Sequence, residues 1–511
     1  MKKEETFDYR LLMLTTLIIS GCSIIYEVLI SSVSSYLVGD SIKQFSITIG
    51  LYMSAMGLGS YLSKYIKEKL FDWFVIVELG VGFLGGLSAF ILFMAYIYMD
   101  TYPLVMYAQI IGIGTLVGLE IPLLTRIIEE NANNLRITLS SIFSFDYVGG
   151  LIGSIAFPLV LLPSMGHFTT SAIIGTINIT IALLIIYRYK NYMEHVSKIK
   201  VVSYIALIFM VLCTFFSGQV AGKIEGNLYR DQVIYTTQTP YQKIVMTKHK
   251  DDIRLFIDGN IQFAAVDEYR YHESLVHIPL SLVKEPKHVL ILGGGDGLAI
   301  REVLKYESVE SIELVDLDEE MVTLSRTHPE ITKLNENALS NPKVKCIYQD
   351  AFKFLEETDK IYDVIIVDLP DPNNETLNKL YSNIFYRLCG NHLAENGVMT
   401  IQSTSPYYAK EAYWCVNKTL EEEGFFVVPY HTEVPSFGDW GFQLASKQPL
   451  QVEELKLQVD TRFLNEETTR RLFVFSEDER LSKEEMKKLK TNTLTHPNLI
   501  TYYLKAVENW R

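Results

Sequence analysis

The run Gly293-Gly-Gly-Asp-Gly297 carries an acid, Asp296, inside a glycine-rich turn, and that placement limits what the turn can hold. A strand that enters such a turn and leaves as a helix ordinarily offers bare amides and a positive helix end to a phosphate. A carboxylate in the same place repels an anion and suits a cation, such as a nucleoside sulfonium or an amine. About twenty residues on stands Asp316, at the distance where a carboxylate accepts both hydroxyls of a ribose. Asp350 and the pair Asp368 and Asp371, which flank a stiffening proline in Asp368-Leu-Pro-Asp-Pro372, complete the set. Any one of these acids is as readily a helix N-cap, but in this order they point to a single anionic cleft.

The elements needed to position them are legible in the hydrophobic pattern. Strands are expected at 288–292, 309–316, 343–348 and 362–368, each ending near one of the acids. A parallel sheet gathers the carboxyl ends of its strands on one side, where a ligand crevice forms. Before it, Tyr229 to Gln262 alternates apolar and polar residues, with turns at Asp251-Asp252 and Asp258-Gly259-Asn260, and predicts a small antiparallel sheet. Gly424-Phe-Phe-Val-Val-Pro-Tyr430 predicts a buried strand; no basic stripe accompanies it, so no nucleic-acid partner is expected. His272 and His277 have no cysteine or third histidine at ligand spacing, and no metal is expected there.

From Tyr229 to Lys447 the chain resembles the spermidine synthase family, the polyamine aminopropyltransferases. The likeness rests on Tyr241-Gln242, Leu255-Phe-Ile-Asp-Gly-Asn-Ile-Gln262, Asp267-Glu-Tyr-Arg-Tyr-His-Glu273, His277-Ile-Pro279, Gly293-Gly-Gly-Asp-Gly297, Arg301-Glu-Val303, Asp350-Ala-Phe352 and Asp368-Leu-Pro-Asp-Pro372, all in register. Thr461-Arg-Phe-Leu464 and Asn492-Thr-Leu-Thr-His-Pro497 resemble the subgroup whose catalytic domain follows an integral membrane segment. The resemblance implies that Asp316 binds the ribose and Asp350 the adenine amino group of decarboxylated S-adenosylmethionine. Gln242 would line the nucleoside side, and Asp296 would face the aminopropyl ammonium. It implies that Asp368 is the catalytic acid residue that positions and deprotonates the amine, and that Tyr271, His272 and Asp371 form the acceptor pocket. It implies no cofactor beyond that co-substrate. The chain departs from the family at Leu298, where a glycine is common and a leucine is expected to narrow the cleft. It departs again at Phe437, where a tyrosine hydroxyl commonly holds the diamine. Putrescine remains the favoured acceptor.

Charge divides the 511 residues in two. Through Gly222 there are 13 basic and 14 acidic residues, leaving 33 and 46 for the rest, so the net charge of −14 belongs almost wholly to the second half. The first half holds seven apolar runs, Leu11–Leu37, Phe45–Ile66, Trp73–Met99, Pro103–Ile128, Leu139–Leu162, Thr169–Tyr187 and Val201–Ser217, against the roughly 20 residues that cross a bilayer as a helix. Glu27, Glu78, Glu120 and Asp146 fall within these runs. Near interfaces they would be ordinary; at depth they would mark a cation path. Basic residues at Lys2, Lys3 and Arg10, then Lys64, Lys67 and Lys69, Arg126 and Arg136, and Arg188 to Lys200 argue for a cytoplasmic N-terminus, which with seven spans leaves the acidic half outside. Its nucleoside substrate and its three cysteines without a disulfide pattern argue instead for the cytosol, with one run re-entrant.

The expected architecture is therefore a multi-pass helical membrane domain over 1–222, a small β-sheet subdomain over 223–285, a Rossmann-like, class I methyltransferase-like α/β domain over 286–450 and a helical tail over 451–511 without chemistry of its own. The expected partners are a small amine, the lipid bilayer and further copies of the chain as a homo-oligomer. Two other functions compete. A methyltransferase must hold the carboxylate of intact S-adenosylmethionine, which Asp296 opposes; a polyamine transporter or sensor has no need of both Asp368 and Asp371.

Overall fold

The computed structural model describes residues 10–38, 41–99, 101–131, 135–229 and 231–510. It divides into two compact units, Met1–Val233 and Ile234–Arg511. The break lies beyond residue 222 because the helix Val196–Leu228 runs past the end of its apolar stretch, with no proline or turn to stop it.

The first unit is helical: Arg10–Val38, Ser41–Leu62, Leu70–Gly86, Ser88–Tyr98, Tyr102–Asn131, Leu135–Ala156, Leu162–Tyr189 and Val196–Leu228. Five stretches are long and apolar enough to cross a membrane, or six when the pair Leu70–Gly86 and Ser88–Tyr98, bent by 44°, is joined. The sequence count was seven. Trp73–Met99 is the bent pair, and Leu139–Leu162 and Thr169–Tyr187 belong to one apolar stretch, Leu139–Tyr192, turned at Gly166 with φ 68° and ψ −179°. An apolar window registers neither a bend nor a turn, since both are made by the backbone. Lys2 and Lys3 lie outside the described residues, as does the side chain of Arg136. Helices approach closely where residues are small: a Cβ on Gly149 would lie 2.0 Å from the carbonyl oxygen of Leu17.

The second unit opens with the antiparallel sheet β1 (Gln232–Gln238), β2 (Lys243–His249), β3 (Asp252–Ile257) and β4 (Asn260–Ala264), with turns where the sequence places them. There follow β5 (His288–Gly293), β6 (Ser311–Asp316), β7 (Val344–Tyr348), β8 (Tyr362–Asp368), β9 (Leu393–Gln402), β10 (Phe426–Val434) and β11 (Gly438–Ser446). They form one sheet in the order β10-β11-β9-β8-β5-β6-β7. Strands β5 to β9 are parallel, and the hairpin β10–β11 adds antiparallel to β9. Helices cover both faces, so Val289 to Leu292 and Val364 to Val367 are apolar at every position and fully buried. The order reverses at β5, between β6 and β8, and this is the point where an open α/β sheet leaves its crevice.

Leu298 does not narrow that crevice. It is fully buried in an apolar cluster with Ile244, Met246, Leu255, Phe263 and Met321, between the two sheets. The C-terminal segment is core as well. Leu499 is fully buried against the face that holds Cys415 and Leu420, and the Asn492 amide donates to the carbonyls of Asn378 and Tyr381 at 3.3 and 3.0 Å.

Candidate active site

The glycine turn is shaped by its neighbours. In the register of β5 and β8, Gly293 faces Asp368, and a Cβ on Gly293, with φ 83°, would lie 2.1 Å from the Asp368 carbonyl oxygen. A Cβ on Gly295 would meet Oδ2 of Asp316 at 2.6 Å. The backbone therefore comes close enough to the strand ends to bring three carboxylates together. Asp296 is buried and accepts the Leu298 amide at 2.8 Å, which makes it a turn-stabilising residue as well as a charge. Burial raises its pKa, against the pull of the His272 charge. Asp316, at the end of β6, accepts the Asp318 amide at 2.9 Å and is pushed up to about 6, chiefly by burial. Asp368, at the end of β8, is also pushed up to about 6 by burial, with Asp296 adding to the rise and His272 opposing it. A carboxylate in that position is ionised at neutral pH yet binds a proton more readily than an ordinary aspartate.

Tyr271 and His272 come from the helix Glu268–Leu282. The Tyr271 hydroxyl donates to Oδ1 of Asp368 at 2.5 Å. The His272 ring turns toward Glu268, whose carboxylate and carbonyl oxygens lie 2.8 and 2.9 Å from Nδ1. Burial alone would depress the imidazolium; the Glu268 carboxylate overrides it and holds the pKa up to about 9. Glu268 is in turn gripped by both guanidinium nitrogens of Arg301, at 2.9 and 3.0 Å, a bidentate pair in a buried place. Glu268 thus favours the protonated form of His272, and Asp296 and Asp368 favour it further. His277 faces Glu302 at 2.8 Å and belongs to the same structural network.

Asp371 lies one turn of chain beyond Asp368. Oδ1 accepts the Gln402 amide at 3.2 Å, and Oδ2 accepts the hydroxyls of Thr404 at 3.3 Å and Tyr503 at 2.9 Å. Burial raises its pKa, and the three donors offset part of the rise. Thr404 is itself strained: a β-branched residue at φ 61°, held by its amide on Gln402 Oε1 at 2.9 Å and its carbonyl on the Gly441 amide at 2.7 Å. Phe437, at the β10–β11 turn, packs edge-to-face with Tyr271 and Trp440, its ring centroid 5.9 and 5.0 Å from theirs. The turn is tied down by Asp267, which accepts the Ser436 amide and hydroxyl at 2.6 and 2.8 Å.

Two residues expected on the nucleoside side are engaged elsewhere. Gln242 donates to Oδ2 of Asp318 at 2.8 Å, beside Thr239, and so bridges the small sheet to the loop after β6. Asp350 is a helix N-cap, accepting the amides of Phe352 and Lys353, and its other oxygen pairs with Lys379 at 2.5 Å. Burial works against that charge, but Lys379 and the cap amides hold the carboxyl below its ordinary range. The structure therefore gathers Asp296, Asp316, Asp368, Tyr271 and His272, attaches Asp371 beside them, and leaves Asp350 on a separate ion pair.

Residues 268–456 match the spermine/spermidine synthase domain. Over 495 residues the chain is 41% identical to a polyamine aminopropyltransferase of Oceanobacillus iheyensis, covering 96% of each, and over 492 residues it is 40% identical to that of Leptospira interrogans, covering 96% of this chain and 97% of that one. The chain belongs to the polyamine aminopropyltransferases. A solved spermidine synthase in complex with the transition state analogue AdoDATO is 27% identical, with a TM-score of 0.45, over 50% of this chain and 88% of that one.

Several residues of this aminopropyltransferase site escaped the sequence reading. Gln402 is the last residue of β9, and a polar residue at the end of its buried run from Gly397 was its only signal. Thr404 gave none, since its strain is visible only in the backbone. Tyr503 comes from the helix Asn498–Trp510, in the segment expected to be without chemistry. The separation of 132 residues between Tyr503 and Asp371 leaves no local trace.

Proposed function

We propose that the enzyme transfers the aminopropyl group of decarboxylated S-adenosylmethionine to putrescine, releasing methylthioadenosine and spermidine, in a cytosolic domain tethered by its helical unit to the cell membrane. The observation that carries the reaction is Asp368, held by Tyr271 at 2.5 Å and raised by burial to about 6. The acceptor must lose a proton before it attacks, because only the neutral amine carries a free lone pair. Asp368 takes that proton. The nitrogen lone pair then forms the new bond to the aminopropyl carbon as the carbon–sulfur bond breaks, and its electron pair neutralises the sulfonium. No covalent intermediate with the protein is needed, so most of the rate comes from alignment and charge.

Asp296 faces the aminopropyl ammonium and Asp316 the ribose hydroxyls. Asp350 accepts the adenine amino group once Lys379 gives up part of its hold, and Gln242 supports that side through Asp318. At the other end Asp371 receives the distal ammonium of the diamine, in a pocket walled by Tyr271, Phe437 and Trp440. Putrescine suits a pocket that has one anionic end and apolar walls.

Tethering rests on the five stretches long and apolar enough to span. The cytosolic side rests on the substrate and on five cysteines that are all free thiols. Incubating the purified protein with decarboxylated or intact S-adenosylmethionine and a panel of amines tests the reaction. Methylthioadenosine is expected only with the decarboxylated form, most with putrescine; methylated amine from the intact form would replace this reading with a methyltransferase. Reporter fusions after Leu228, where the last helix of the first unit ends, test the side.

A further inference from the structure

The helical unit buries a polar cluster that aminopropyl transfer does not use. Glu78 is wholly inaccessible and Glu120 is 7% exposed, yet each has a carboxylate oxygen, Oε1, that meets no donor. The other oxygen of Glu78 accepts the amide of Asn178 at 3.3 Å, while Oδ1 of Asn178, also inaccessible, has no partner of its own. Tyr26, at zero exposure, brings a hydroxyl without a partner within electrostatic reach of both glutamates. Its ring occupies the space left by Gly85, where a Cβ would strike it at 2.5 Å, so its direction is set by packing. These groups come from four helices, Arg10–Val38, Leu70–Gly86, Tyr102–Asn131 and Leu162–Tyr189.

Two neighbouring carboxylates deep in an apolar bundle repel each other, and a low dielectric magnifies the cost. Among the described residues, neither glutamate forms an ion pair with Lys, Arg or His, and the one side-chain donor to Glu78 is the Asn178 amide. A network completed by protein alone would have matched the Tyr26 hydroxyl with one of the orphan acceptors. Instead, three acceptor oxygens and one hydroxyl on four helices of the bundle are left buried and unmatched, which is the pattern of groups arranged for a guest.

We propose that Glu78, Glu120, Asn178 and Tyr26 form a cation site in the helical unit, and that its guest is a primary ammonium of the polyamine class. An ammonium supplies three N–H donors and a charge, against three unpartnered acceptors and two carboxylates. The site is separate from the cleft of Asp296 and Asp368 and gives the helical unit a role of its own in recognising amines.

The test uses the full chain in lipid nanodiscs and radiolabelled putrescine. The parent should bind two equivalents. Glu120→Gln and Glu78→Gln should each lose one of them, with at least a tenfold rise in its Kd, while melting temperatures show that both variants remain folded. Two equivalents bound by both variants would overturn the assignment. So would displacement of the second equivalent by sodium or potassium as readily as by spermidine, which would mark an inorganic cation site. A single equivalent in the parent, with glutamine variants that melt at higher temperature, would also overturn it, because the carboxyls would then be neutralised by protons alone. Transfer activity measured in the same preparations separates failure here from failure of the catalytic reading.

Discussion

Replacing Tyr503 by phenylalanine removes one oxygen from the C-terminal helix and, with it, the shortest of the three hydrogen bonds to Asp371: 2.9 Å, against 3.2 Å from Gln402 and 3.3 Å from Thr404. A hydrogen bond to a charged group contributes about 1.5–3 kcal/mol. Gln402 and Thr404 remain, so the lower figure applies, and about 1.5 kcal/mol is roughly a tenfold change in affinity. The loss falls on the ionised form of Asp371, whose pKa is already raised by burial and rises further once a stabilising donor has gone. KM for the amine should therefore increase about tenfold at neutral pH, and the defect should shrink as pH rises and the carboxylate re-forms. The rate at saturating amine should stay near that of the parent, because Asp371 holds the amine while Asp368 takes its proton. Steady-state kinetics with putrescine varied at several pH values, and the nucleoside saturating, reads all three. An unchanged KM, or a lowered kcat at constant KM, would refute the placing of Asp371 at the amine and would reduce Tyr503 to packing.

Asp368 should set the acid limb of the rate profile: transfer falls as pH drops through about 6, where the carboxylate gains the proton it must be free to accept. Tyr271→Phe removes a donor that lowers this pKa, so the limb should move to higher pH; a limb that stays in place would separate Asp368 from the proton transfer. Leu298→Ala should lower the melting temperature, by a cavity cost of roughly 2–5 kcal/mol, and leave KM for both substrates unchanged, since Leu298 fills core and not cleft. A KM that falls in this variant would restore the narrowing role. Phe437→Tyr returns a hydroxyl to the wall beside Tyr271 and Trp440, and is expected to lower KM for putrescine relative to monoamines; equal effects on both would show that the wall does not read the second amine.

Strands β5 and β8 were legible because they are buried on both faces and leave continuous apolar runs, and the acids were legible because they stand at or just beyond the ends of strands. The turns of the small sheet were legible from Asp258-Gly259-Asn260 and the alternation around it. What each acid does was not. Asp296, Asp350 and Asp368 look alike in the sequence, and the fold sends one to a turn amide, one to a lysine and one to a tyrosine hydroxyl. The span count differed for a related reason: a 44° bend and a left-handed glycine are backbone events that leave hydropathy unchanged.

By itself the sequence determined strands β5 to β8 and the acids at or just beyond their ends, because these follow from residue type and spacing of two to twenty positions, while the strand order and its switch point came from the fold. Only the tertiary structure decided which carboxylate burial raises, which one pairs with a lysine, that a distant helix brings the Tyr503 hydroxyl to Asp371, and that Glu78 and Glu120 lie among buried groups left unpaired. The division has a physical cause. Periodicity records what one segment buries, whereas a pKa and a hydrogen-bond partner depend on what other segments bring within a few ångströms, and the chain order of those segments is free to vary.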